Sequence, residues 1–200
     1  MSPKQDVSDE RKSQILDAAM ETFTEKGFHK TRMSDIADSS GLSKGSLYWY
    51  FDSKDAIILK LIDRVFEYVI KDLTALLNDD RSAEERLYIY TDRSGQDIIK
   101  MLKWMPLLYD FLALAHRQEP IKKTIQHYYK KNLDLLITLI QQGIDTGEFL
   151  PGNAHEAAYA IGSIIEGTVM LWLYDPEQID IQDHIKSSTN LLLKGLKSTD

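Results

Sequence analysis

The residues best suited to chemistry lie between Thr31 and Lys54, where the chain reads TRMSDIADSSGLSKGSLYWYFDSK. Lys44 can give more than one hydrogen bond to a guanine edge, Ser46 can bond several bases, and Gly45 lets a backbone come close to a nucleic-acid groove. Tyr48 and Tyr50 carry hydroxyls that suit phosphate oxygens. Lys54 adds a cation at the start of a helix whose own free amides make a second phosphate clamp. This is contact chemistry rather than bond-making. The chain has no cysteine, which removes thiolate nucleophiles, disulfides and cysteine-bound metals. Its histidines lack the i,i+3 or i,i+4 pairing of helical metal sites. No glycine-rich phosphate loop and no nucleophile–base–acid spacing is found. The sequence therefore offers no catalytic residue, metal site or cofactor site.

The elements that must position these side chains are helices. Apolar residues recur with a period near 3.6, with almost no strand-like alternation, so the expected fold is all-α with about nine helices. Ser8 caps a first helix through Lys26, with Ile15, Leu16, Ala19 and Phe23 on one stripe, and Gly27 ends it. Thr31 caps a second, Arg32 to Ser39. Gly41 turns the chain, and Ser43 caps a third, Lys44 to Tyr50. Ser53 caps a long fourth helix from Lys54 to about Asn78. Two short helices around a glycine turn make a helix-turn-helix. The third helix is too short to be stable by propensity, so Leu47 and Phe51 must anchor it from behind and leave Lys44, Gly45, Ser46, Tyr48, Trp49 and Tyr50 outward. Further helices are expected over Ser82–Asp92, Ser94–Arg117 (interrupted by Pro106), Glu119–Thr146, Ala154–Tyr174 and Ile181–Lys197. The organisation is a three-helix head at 1–54 on a larger helical body at 55–200.

Net charge is −7, and charged residues make up 28% of the chain. Residues 1–60 carry nine basic and ten acidic side chains, so the acidity lies mostly in the body. A globally acidic protein still binds DNA when its few cations converge on one face. The polar N-terminus is no signal peptide, and the longest uninterrupted apolar runs fall well short of a membrane span. A cytoplasmic protein without membrane association is expected.

In this order, Phe23, Lys26, Gly27, Phe28, Thr31, Met33, Asp35, Ile36, Ala37, Gly41, Ser43, Lys44, Gly45, Ser46, Leu47, Tyr48, Tyr50, Phe51 and Lys54 resemble the DNA-binding domain of the TetR family of bacterial transcriptional regulators. The resemblance covers about residues 9–57. It implies that Thr31 and Arg32 meet the DNA backbone, and that Ser43, Lys44, Gly45, Ser46, Tyr48 and Trp49 lie in or along the major groove. It also implies that Tyr50 and Lys54 touch phosphate; the family often has histidine where this chain has Tyr50. The function so implied is that of a repressor which binds a palindromic operator as a homodimer and is released by a small ligand.

The body carries no comparable motif. One short helix reads few base pairs, so a dimer is expected. Ile161, Ile164, Ile165, Leu192 and Leu196 supply apolar surface for it; the resemblance implies a four-helix bundle from the last two helices of each subunit. Met101, Trp104, Leu108, Phe111, Tyr128, Ile140, Met170 and Trp172 suit the wall of a pocket for a lipophilic molecule. The same side chains suit an ordinary helical core, and periodicity does not separate the two. An activator, a regulator without a small-molecule effector, and a helical protein-interaction module using Tyr48 and Trp49 remain as alternatives. Steep salt dependence separates DNA binding from the last.

Overall fold

The computed structural model describes residues 3–197, with side chains for 7–67, 69–105 and 107–197. Among them the period-3.6 pattern becomes nine α-helices and no strand. They are α1 (Pro3–Lys26), α2 (Met33–Ser40), α3 (Lys44–Tyr50), α4 (Lys54–Leu77), α5 (Ala83–Met101), α6 (Met105–Ala115), α7 (Glu119–Asp145), α8 (Ala154–Tyr174) and α9 (Ile181–Leu196). A 3-10 turn, Leu102–Trp104, separates α5 from α6. The chain forms two compact units: Met1–Phe66 with Lys103–Gln126, and Glu67–Leu102 with His127–Asp200.

In the first unit, Ile15, Ala19 and Phe23 of α1 are buried at successive i,i+4 positions; Met33, Ile36 and Ala37 of α2 and Leu47 of α3 are buried with them. Phe51 joins this core, and Ile57, Ile58, Leu61 and Ile62 extend it beyond residue 54. Gly27 and Gly41 have φ of 76° and 68°, a left-handed geometry that disfavours other residues and lets the chain leave α1 and α2 sharply. Ser43 Oγ accepts the Ser46 amide at 3.1 Å and Ser53 Oγ accepts the Ala56 amide at 3.1 Å, so both expected caps form. Thr31, in contrast, does not cap α2. The N-cap is Arg32, whose amide donates to the Asp35 carboxylate at 2.7 Å. Lys26 holds the same side chain at 3.1 Å. Helix α1 also begins earlier than Ser8, at Pro3, because proline is well accommodated in a first turn.

The second unit packs Leu73, Leu76, Leu87, Leu136, Leu139, Phe149 and Leu193, among others, into one apolar cluster. The expected helix break near Asp92–Ser94 is absent. The Ser94 hydroxyl donates to the Tyr90 carbonyl at 2.8 Å, which satisfies it inside a continuous helix. At Gly95, α5 and α9 run close together, and a Cβ there would make ordinary contact with the Gln182 backbone at 3.5 Å. The break comes instead just before Pro106, in the first turn of α6. Arg86 is buried and donates to the Leu76 and Leu77 carbonyls, both at 3.3 Å, and to Gln142 Oε1 at 2.7 Å. It thereby supplies a cation and donors where α4 ends with free carbonyls.

Two tests follow from this packing. A Cβ at Gly143 would lie 2.4 Å from two ring carbons of the fully buried Phe149 and 2.8 Å from Ala83 Cβ. Gly143→Ala is therefore expected to destabilise the chain by about 1–3 kcal/mol, read by urea unfolding. The second concerns Asp35, held below its ordinary pKa of 3.8 first by the Arg32 amide and then by the Lys26 hydrogen bond. A depressed carboxylate contributes stability that is present above 3.8 and lost as pH falls through the lower folded-state value. Asp35→Ala should lower the melting temperature at neutral pH, and the difference from the unaltered chain should shrink in acid.

Candidate nucleic-acid interface

The local fold of the head decides which polar side chains are available. In α3 Leu47 is completely buried, while Lys44, Gly45, Ser46, Tyr48 and Trp49 are exposed. Tyr48 is 44% and Trp49 75% accessible, far above what an unpartnered indole usually keeps in water. The Trp49 and Tyr50 rings meet edge to face at 4.6 Å, which limits the freedom of both. Ser43 is exposed and spends its Oγ on the cap. Arg32 is exposed at the N-cap of α2. These residues together form a surface of hydrogen-bond donors, two cations and flat aromatic rings, with no acidic side chain contributed by α3 itself. Such a surface can bond base edges and phosphate oxygens.

Two expected contacts are placed differently. Thr31 is buried, and its hydroxyl donates to the Gly27 carbonyl at 2.9 Å. It closes the turn between α1 and α2 instead of facing outward. Lys54 is half-buried, and its Nζ donates to the Phe28 carbonyl at 2.8 Å while lying 4.4 Å from the centre of the Phe28 ring. Partial burial lowers its pKa below 10.5. A helix-corner polar residue can turn in or out with the same sequence spacing, so the pattern alone does not distinguish these two from their exposed neighbours.

The expected ligand residues do not share one environment. Within the first unit Phe111 is buried and Trp104 and Leu108 are half-buried, with Lys103 Nζ 4.3 Å over the Trp104 ring. Within the second, Ile140 belongs to the apolar core cluster, Tyr128 is buried, Met101 and Trp172 are half-buried and Met170 is exposed. Ile140 is thus a packing residue. The second unit also holds a cleft of about 1230 Å³ between α5 and α9, lined by Tyr88, Asp92, Arg93, Asp183, His184 and Asn190 among others. None of the expected ligand residues lines it. Most of its lining residues carry polar or charged groups, so a search for apolar stripes passes over it.

The expected dimer residues divide in the same way. Ile161 is fully buried in the second unit's core, while Ile164, Ile165, Leu192 and Leu196 are half-buried. The apolar side chains left exposed on α8 and α9 are others: Tyr159, Met170, Leu171, Leu173, Tyr174 and Leu191. Helix α8, with a mean hydropathy of 1.3 over its most apolar window, is long and apolar enough by composition to cross a bilayer. Ala157, Ala158 and Ile161 nonetheless place one face of α8 in a protein core.

Comparison with known proteins bears on the whole chain. Residues 15–61 match the model of bacterial regulatory proteins of the tetR family, and residues 79–198 match that of the QacR-like protein C-terminal region. The HTH-type transcriptional regulator YfiR of Bacillus subtilis is 29% identical, with 100% of this chain and 99% of that protein aligned. The crystal structure of FadR from Bacillus subtilis in complex with stearoyl-CoA superposes with a TM-score of 0.76 at 25% identity, over 92% of this chain and 98% of that one. SmeT of Stenotrophomonas maltophilia, bound to triclosan, gives a TM-score of 0.83 at 19% identity over 94% of this chain and 92% of its own. With a helix-turn-helix whose outer face is free and both family models matched in order, the chain belongs to the TetR family of bacterial transcriptional regulators.

Proposed function

We propose that the chain is a cytoplasmic transcriptional repressor. As a homodimer it holds a palindromic operator through residues 1–54 and releases it when residues 55–200 bind a small lipophilic molecule. The observation that carries this reading is the division of α3 into one buried anchor, Leu47, and an opposite face of Lys44, Ser46, Tyr48 and Trp49 open to solvent. A seven-residue helix held from behind by a single aliphatic side chain suits insertion into a major groove. Ser43, Lys44, Gly45, Ser46, Tyr48 and Trp49 would meet the groove, and Arg32 and Tyr50 the phosphates.

The ligand class is supported by two relatives of the same fold, bound to stearoyl-CoA and to triclosan. In the dimer the two copies of α3 would stand about 34–36 Å apart, one turn of DNA, or a multiple of it. Ligand switches the protein only by binding better to a state in which that spacing is wrong. Helix α4 is the proposed transmission element, since its residues 54–66 belong to the first compact unit and 67–77 to the second. The exposed apolar side chains of α8 and α9, Leu191 and Tyr174 foremost at 71% and 77% accessible, support a second copy of this chain as their partner.

The test is selection of duplexes from a random-sequence pool, followed by binding across a range of salt. A palindromic duplex should emerge, with log K falling linearly against log salt. No enrichment at low ionic strength would refute the reading. Lys44→Ala should relax preference at one or two base pairs, by roughly 1–3 kcal/mol each; equal losses on selected and random duplexes would show that Lys44 does not read sequence. Leu191→Glu should shift sedimentation towards the monomer.

A further inference from the structure

We infer that Gln14 is a positioning residue for operator reading: its side-chain amide holds the Ser40–Gly41 peptide, on which the chain pivots between α2 and α3. The inference rests on the DNA-binding reading and refines it.

A helix ends with carbonyls that no further turn can bond. At the end of α2 the Gly41 and Leu42 amides turn back to the Asp38 and Ala37 carbonyls, at 3.2 and 3.1 Å. The Ser40 carbonyl is bonded from another helix: Gln14 Nε2 of α1 donates to it at 2.6 Å. That carbonyl belongs to the peptide that enters Gly41, whose φ is 68°. Residues 41–43 alone separate α2 from α3, so a rotation of this one peptide swings the whole of α3.

Both ends of the bond are fixed. Ile15 and Leu16, beside Gln14, are buried, Ile15 completely, so this part of α1 is anchored in the core of the head. Arg11 Nη1 donates to Gln14 Oε1 at 2.7 Å. With its oxygen engaged by a cation, the amide turns its nitrogen to Ser40. Ser40 is itself buried, and its hydroxyl donates to the Ala37 carbonyl at 3.0 Å. Within α3, in contrast, Leu47 is the one buried side chain. A single apolar anchor sets how deep the helix lies and leaves its tilt to the connection before it. The effect of Gln14 on DNA therefore passes through the placement of Lys44, Ser46, Tyr48 and Trp49.

The experiment uses the full chain, a duplex enriched from a random-sequence pool by the unaltered protein, and a random duplex as reference. Binding is measured well below the unfolding midpoint, where a residue that only stabilised the fold would leave affinity unchanged. Gln14→Leu removes both bonds at similar volume. Gln14→Glu keeps the acceptor for Arg11 and sets an oxygen against the Ser40 carbonyl. In both variants the affinity ratio of selected to random duplex should fall roughly three- to tenfold, the scale of one net hydrogen bond. The two duplexes carry the same phosphates, so the added charge of Gln14→Glu cancels in the ratio. Without DNA, the Gly41 and Leu42 amides should exchange severalfold faster in Gln14→Leu than in the unaltered chain. A ratio kept by Gln14→Glu and lost by Gln14→Leu would show that Gln14 acts through Arg11, and would overturn the inference. So would a lowered melting temperature with the ratio unchanged in both. Should Gln14→Leu not fold, Gln14→Glu decides alone. Failure of the unaltered chain to bind any duplex would count against the DNA-binding reading instead, and amide exchange at Gly41 and Leu42 would still decide whether Gln14 holds the turn.

Discussion

The burial of Leu47 is the constraint on which the rest of the head depends. A helix the length of α3 gains too few internal hydrogen bonds to offset its nucleation. It exists because Ser43 caps its first turn and Leu47 is fully withdrawn from water. Once that side chain is fixed, the helical repeat points Lys44, Ser46, Tyr48 and Trp49 away from the core. Exposure of an indole and a phenol is unfavourable for a protein alone in water. It becomes intelligible when the surface has a polyanionic, base-lined partner.

The elements around this helix are held by polar bonds. The Asp35 carboxylate holds the start of α2, the Thr31 hydroxyl closes the preceding turn, and Lys54 joins that turn to α4. Removal of any one leaves the apolar core intact but frees a corner of the reading surface. In the body the order is reversed. There, large aliphatic and aromatic side chains make one cluster, and the buried cation Arg86 secures the end of α4.

The head was largely legible in the sequence because its signals are local. Gly41, the caps at Ser43 and Ser53, and the i,i+4 pair Leu47–Phe51 each dictate a turn, a start or a buried face within a few residues. Thr31 turns inward and Lys54 lies half-buried because a side chain at a helix corner takes its direction from what the rest of the fold offers it; here the offers are the Gly27 and Phe28 carbonyls. The body was legible as helices but not as surfaces. Helices α8 and α9 are apolar on more than one side, so the 3.6 period does not tell buried Ile161 from exposed Met170, or half-buried Leu192 from exposed Leu191. The sequence pattern puts the interruption between α5 and α6 too early because Ser94 is a weak helix former, and its bond to Tyr90 is visible only in three dimensions.

The most direct measurement of the central claim is the accessibility of Trp49. With Trp104 and Trp172 replaced by phenylalanine, Trp49 is the sole remaining indole of the three in the chain, and acrylamide should quench it readily. Binding of duplex DNA should shield it and reduce the quenching constant severalfold. Quenching that stays the same while the protein is demonstrably bound to DNA would place the groove-facing surface elsewhere.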